Sequence, residues 1–217
     1  GVALAAKRAA PRVSLGTLVA ATLLIDLVWP VLLLAGVERV RIDPGNTAFT
    51  PLDFEHYPFT HSGVAVLLWS LAAGGITLWR TGYRRGALAV AALVASHWLL
   101  DLVVHRPDLP LVWDGPKVGL GLWNVVPAAL AVELAVFAGG AWLYARTAPA
   151  RDAQGRWALA ALLVFLLAVH AANALGPPPP SATAVGFAGL ALWLFVPWAA
   201  YIDRHRRVEG PALLLQG

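Results

Sequence analysis

Cysteine is absent from the 217 residues, so disulfides and thiolate metal sites are excluded, and any metal must be held by imidazole and carboxylate. Methionine is absent too and the chain opens on Gly1. That opening reads as the result of a missing upstream stretch, with GVALAA before Lys7 and Arg8 as the tail of a truncated helix. The charged start, short apolar core and small-residue cleavage site of a secretory signal do not occur in order. Charge is also scarce. Only 13% of residues are charged, against about 25% in soluble domains. No G-x-S-x-G elbow, phosphate loop or dinucleotide fingerprint occurs, which leaves serine hydrolysis and nucleotide binding without support.

What is present is apolar length. Hydrophobic residues make up 59% of the chain and mean hydropathy is +0.69. Lipid cannot satisfy an open backbone, so only helices or closed barrels span it, and long unbroken runs choose helices. Six runs approach the ~20 apolar residues a span needs: 14–36, 60–79, 87–105, 121–145, 156–175 and 183–202. The expected fold is one all-α, multi-pass helical bundle. Its connections are RVRIDPGNTAFTPLDFEHYP, RTGYRRG, HRPDLPLVWDGPK, RTAPARDAQGR and GPPPPS, rich in polar and turn-forming residues.

Basic residues in short loops set orientation. With the N-terminus inside, twelve of the sixteen, including Lys7, Arg12, Arg84, Arg85, Arg146, Arg156 and Arg206, fall on the cytoplasmic side. Arg39, Arg41, Arg106 and Lys117 fall outside, so both termini are expected in the cytoplasm. The basic pI is thus a topology signal, and its dispersal at helix ends argues against nucleic acid as a partner. Membrane lipid is the expected partner.

Against this background the ionisable residues stand out, because such groups in hydrocarbon face a protein interior, pair or bind an ion. At 1.5 Å per residue, His97, Asp101 and His105 climb the third helix about 15, 21 and 27 Å from its cytoplasmic start. Four-residue spacing puts them on one stripe. Thr60 is expected as the N-cap of the second helix, with His61 opening it and His56 in the loop before Pro58. Five apart, His56 and His61 converge only if a corner separates them. Asp26 lies mid-helix in the first span, and Pro30 cannot engage the carbonyl of residue 26, so polar backbone is expected there.

These residues predict a metal site in the outer half of the bilayer. Its ligand candidates are His56, His61, His97, Asp101 and Asp26. Asp101, Glu55 and Asp26 are candidates to accept a proton. His105, Asp108, Ser62 and Glu133 are candidate supporting groups; Asp108 can pair with Arg106 at the surface. His170 has no motif around it and reads as a packed or interfacial histidine. Trp29, Trp113, Trp123 and Trp198 read as interface anchors. The plainer reading of His97 and Asp101 is an interhelical hydrogen-bonded pair.

HYPFTHS at 56–62 and SHWLLD at 96–101, preceded by Asp26 in LLIDLVWP, resemble the YdjM-like inner-membrane family of metal-dependent hydrolases, whose pattern runs H-R-G-x-T-H-S and then s-H-x-x-x-D. The resemblance spans residues 15–125. It aligns His56, His61 and Ser62 with the first motif, His97 and Asp101 with the second, and Asp26 with the acidic end of the first segment. Tyr57 stands where that pattern has arginine, and the histidine that such proteins tend to carry near the N-terminus is lacking. The resemblance implies a multi-pass protein of the bacterial plasma membrane. Zinc suits this ligand set best, with manganese or iron acceptable and room for one or two ions. A lipid-linked ester or phosphoester suits the depth as substrate. The alternative from another class is a carrier or channel for divalent metal or protons using the same residues.

Overall fold

The computed structural model describes residues 1–208. A short helix α1 (Val2–Ala9) precedes α2 (Leu15–Thr22) and α3 (Leu24–Leu34), which form one bent apolar segment. A hairpin of β1 (Arg39–Ile42) and β2 (Leu52–His56) follows, then the single turn α4 (Pro58–His61). Next come α5 (Gly63–Thr81), α6 (Arg84–Val104) and the two-residue strands β3 (Leu109–Pro110) and β4 (Lys117–Val118). The remaining long helices are α7 (Val126–Thr147), α8 (Ala153–Leu175) and the segment α9 (Ala182–Leu190) with α10 (Phe195–Arg204). The fold is all-α apart from two small hairpins.

Among the described residues five helices are long and apolar enough to cross a membrane, or six when the bent pair α2 and α3 is counted as one span. Each corresponds to one of the expected runs, within a few residues at most ends. Leu67 and Leu71 on α5, Leu88 on α6, and Val164 on α8 point outward and exposed. An apolar exterior of this kind suits acyl chains as its solvent.

Three features depart from the sequence reading. The first span bends by 54°, and it does so between Thr22 and Leu23, whereas Pro30 lies inside α3 without interrupting it. The polar connection before the second span is an ordered antiparallel hairpin, with Arg39 opposite His56 and a bulge beside that pair. Thr60 does not cap the second span. Ser62 does, its side chain accepting from the Ala65 amide at 3.1 Å, and His61 closes the separate turn before it.

The buried residues form three clusters. One joins α1, α2, α3, α5 and α6 around Leu18, Ile25, Val90 and Val94. A second joins α2, α7, α8 and α10 around Leu15, Tyr144, Leu159 and Ile202. The third seals the hairpin onto α3 through Trp29, Val40, Tyr57 and Leu109. Small residues permit the close crossings. A side chain at Gly74 would meet Ala91 and the Ala87 carbonyl across the α5 and α6 contact, the kind of approach that membrane helices obtain from glycine.

An ion pair fastens the basic end. Lys7, only 3% exposed, donates to Asp203 at 2.7 Å and to the Val13 carbonyl at 2.8 Å. Asp203 also accepts from the Leu15 amide at 3.1 Å and the Tyr144 hydroxyl at 3.2 Å. Arg12 lies over the Tyr83 ring, and Arg206 donates to the carbonyls of Ala148 and Gly155. These contacts gather the basic loops at one end of the bundle, with both hairpins at the other. Removing one partner of a buried pair strands the other charge, at about 3–5 kcal/mol. Asp203→Ala should therefore lower thermal stability in detergent by roughly that amount. Asp203→Asn, which still accepts from Leu15, should lower it less; equal melting of both variants and the parent would contradict this assignment.

Candidate metal centre

The site begins with the bend. The Thr22 hydroxyl donates back to the Leu18 carbonyl at 2.9 Å, a local bond that bends helices. The ladder resumes only at Leu24, with the Leu27 amide bonding the Leu23 carbonyl. Two consequences follow. Asp26 falls in the first turn of α3, where the helix dipole favours a carboxylate. The Thr22 carbonyl accepts from His97 Nδ1 on α6 at 2.7 Å. A carbonyl can only accept, so Nδ1 carries a proton, and in its neutral form His97 has its lone pair on Nε2.

His61 reaches the same tautomer by a longer route. Glu38, fully buried in the turn after α3, accepts the Phe59 and Thr60 amides on Oε1 at 2.8 and 3.0 Å, and the Thr60 hydroxyl on Oε2 at 2.7 Å. With its hydrogen committed to Glu38, Thr60 Oγ1 accepts from His61 Nδ1, also at 2.7 Å. In its neutral form His61 therefore carries its lone pair on Nε2. Carboxylates commonly orient metal-binding histidines through such outer contacts.

Both lone pairs meet carboxylates. His61 Nε2 lies 3.4 Å from Asp26 Oδ1, and His97 Nε2 lies 3.3 Å from Asp26 Oδ2. Asp101 Oδ2 stands 3.6 Å from His97 Nε2 and 3.9 Å from His61 Nε2, buried and without a hydrogen bond. The two imidazole planes are nearly perpendicular, 82° apart. With both imidazoles neutral, acceptors face acceptors at these distances and repel unless a metal ion or a proton lies among them. Asp26, His61 and His97 each place one ligand atom within 4.8 Å of the others. Ligand arms of about 2.0–2.1 Å on a tetrahedral ion put ligand atoms roughly 3.3–3.5 Å apart, so the set can hold a metal ion.

Two donors without partners lie beside this group. Trp29 Nε1 and Tyr57 Oη are buried and unbonded, and both rings pack near His61, at 6.4 and 5.2 Å between centroids. Trp29 is thus an interior residue of the site and not an interface anchor. Burial, and then the Asp108 and Asp101 carboxylates, push the Tyr57 phenol well above its usual range, which keeps it protonated as a donor.

The other residues singled out by sequence divide clearly. His56 is not brought to the group, because it ends β2 while Tyr57 turns into the core; its ring lies edge-on to Phe59 at 6.2 Å. Glu55 is exposed beside it and pairs with Arg41 at 3.2 Å. Both line a separate surface hollow with Trp113, Asp114 and Lys117. Ser62 serves as a helix cap. His105 is buried at the end of α6 and donates from Nδ1 to Asp108 Oδ1 at 2.9 Å. Asp108 does pair with Arg106, at 3.1 Å, but is itself buried and not at the surface. Arg106 also holds Asp53 of the hairpin, so this set clamps the hairpin over the site.

Glu133 lies on α7 and faces His170 of α8 at 3.6 Å. It lines the same cavity as Asp101. His170, read from sequence as packed or interfacial, is half-buried against this carboxylate. Sequence reasoning missed Glu38 altogether and gave Trp29, Tyr57 and His170 no part in the site; the one trace of Glu38 is a lone acid between Val37 and Arg39 just after an apolar run.

No family model, curated protein or solved structure matches the chain.

Proposed function

We propose that this protein is a metal-dependent hydrolase of a bacterial plasma membrane, acting on a lipid-linked ester or phosphoester. The observation that carries the reading is the pair of imidazole Nε2 atoms converging on Asp26, with the unbonded Asp101 Oδ2 beside them. Three protein ligands with a position left open distinguish catalytic from structural zinc sites. Asp26, His61 and His97 would hold the ion, with zinc the first choice for imidazole and carboxylate and manganese or iron also accommodated. A divalent cation there supplies Lewis acidity, lowering the pKa of a water it binds and polarising a carbonyl or phosphoryl group.

The chain's own residues do the rest. Asp101, with a free buried oxygen and one side on the cavity between α6, α7 and α8, accepts the proton released on attack. Tyr57 and Trp29 offer hydrogen bonds to negative charge developing next to His61, the usual means of stabilising such charge in a water-poor site. Glu38 and Thr60 keep His61 in the ligating tautomer. The resemblance to YdjM-like hydrolases supports the same assignment through His61, His97, Asp101 and Asp26.

An ion carrier would use the same ligands but needs polar groups continuing to the other face. One to two turns below His97, the buried residues of α6 are Val90, Leu93 and Val94, which favours a pocket open at one end. Purified protein should contain about one divalent ion per chain and should hydrolyse lipid phosphates or esters in a chelator-sensitive way. Failure to retain or take up any divalent ion overturns the proposal. Metal uptake into proteoliposomes without turnover on either substrate class overturns it in favour of a carrier.

A further inference from the structure

A cavity of about 370 Å³ lies between α6, α7 and α8, within the range of about 300–1,000 Å³ typical of ligand pockets. Its walls include Val104, Val132, Phe137, Leu166 and Leu167, its polar side chains are Asp101, Glu133 and His170, and Gly1 borders it as well. The polar groups are not scattered in depth. Asp101, Glu133 and His170 stand three, seven and five residues from the hairpin-side ends of their helices, about 5, 11 and 8 Å below them. Phe137 and Leu166 stand eleven and nine residues in, about 14–17 Å deep. The cavity's polar side chains therefore lie toward the hairpin end, and its deeper side chains are apolar, with Gly1 at the deep end against Val136 and Gly140.

The polar end is built and has capacity to spare. Trp123 donates to Glu133 Oε1 at 3.2 Å, Phe49 from the hairpin lies over both Trp123 and His170, and His170 Nε2 is buried with no hydrogen bond. Ionisable groups are held at such depth where they have a task, and the metal centre does not touch these two. The cavity reaches that centre through Asp101 alone. Its other walls belong to helices whose outward faces are apolar, so an occupant arrives from the lipid.

We propose that this cavity takes the acyl chain of an outer-leaflet membrane lipid, with Glu133 and His170 meeting its polar part and the scissile group lying against Asp101. The proposal rests on the hydrolase reading for the last clause only. Filling the cavity should exclude the chain without touching the metal ligands, and Leu167→Trp and Val132→Phe do so from opposite walls.

The test uses the full chain in nanodiscs containing phosphatidylglycerol with a diazirine in one acyl chain, followed by peptide mapping after illumination. Labelling of the segments bearing Val104, Val132 and Leu167 should exceed that of the outward face of α5 at Leu71. Either variant should reduce it at least five-fold, with α5 labelling and bound metal unchanged. Against a long-chain substrate the variants should raise KM, while a short soluble analogue is turned over as by the parent. Cavity labelling no greater than at Leu71, or unchanged in both variants, overturns the proposal. Specific labelling without turnover on any lipid keeps the lipid site and instead overturns the hydrolase reading.

Discussion

Asp26→Ala and His97→Ala should each lose bound metal, with affinity falling by more than the 10–100-fold typical of outer contacts, and with turnover falling in step. Each removes one of three ligand atoms within 4.8 Å of one another, and His56 and Glu55 cannot substitute, since they lie in the surface hollow. Asp101→Asn should behave differently. Its Oδ2 lies slightly farther from the two imidazoles, at 3.6 and 3.9 Å, and it borders the cavity. The variant should keep most of its metal while turnover falls about 100- to 10,000-fold, the usual contribution of a positioned base. Elemental analysis and rate measurement on the same samples separate the cases. Parental metal content in Asp26→Ala would remove the coordination assignment, and metal loss in Asp101→Asn equal to the other two would make Asp101 a ligand.

The second large effect concerns a residue distant from the ion. Glu38→Ala leaves the Phe59 and Thr60 amides and the Thr60 hydroxyl without an acceptor. Each unsatisfied buried group costs about 1–3 kcal/mol, so a loss of about 3–5 kcal/mol is expected in thermal unfolding. Glu38→Gln is more informative. Its oxygen stays with the two amides, which forces its NH₂ toward Thr60. The Thr60 hydroxyl must then accept from the amide and donate to His61 Nδ1, moving the imidazole proton to Nε2, where the ion binds. Stability should survive while metal affinity falls about 10–100-fold. A glutamine variant that titrates metal like the parent would show that this chain of bonds does not set the tautomer.

That prediction also marks how far the sequence could be read. Asp26, His61, His97 and Asp101 were readable because each is an ionisable group in or beside an apolar run, where it needs a reason, and because three of them sit in two short strings. The spans were readable for the same cause, since hydropathy is a local property. Glu38 was not, because its role exists only when a turn after one helix meets a turn before another, 21–22 residues away. The pairing of Glu133 with His170 depends likewise on how α7 and α8 rotate against each other. His56 misled because a motif fixes spacing but not direction, and the hairpin register sends it away from Tyr57. Polar backbone was expected at residue 26 from the missing amide of Pro30, yet the chain bends just after Thr22, where a side-chain bond and an imidazole both compete for the backbone.

That bend leaves the protein little freedom to become sturdier at this point. Restoring a straight first span, for instance by Thr22→Ala, would return the residue 22 carbonyl to the amide of Asp26, and His97 would lose the acceptor that aims it. Reinforcement of the helix and readiness of the imidazole thus compete for a single oxygen atom, an instance of the trade between robustness and activity that functional sites impose. Selection for heat resistance should find its improvements in the basic loops or the outer faces of α7 and α8, and leave residues 22 and 23 alone.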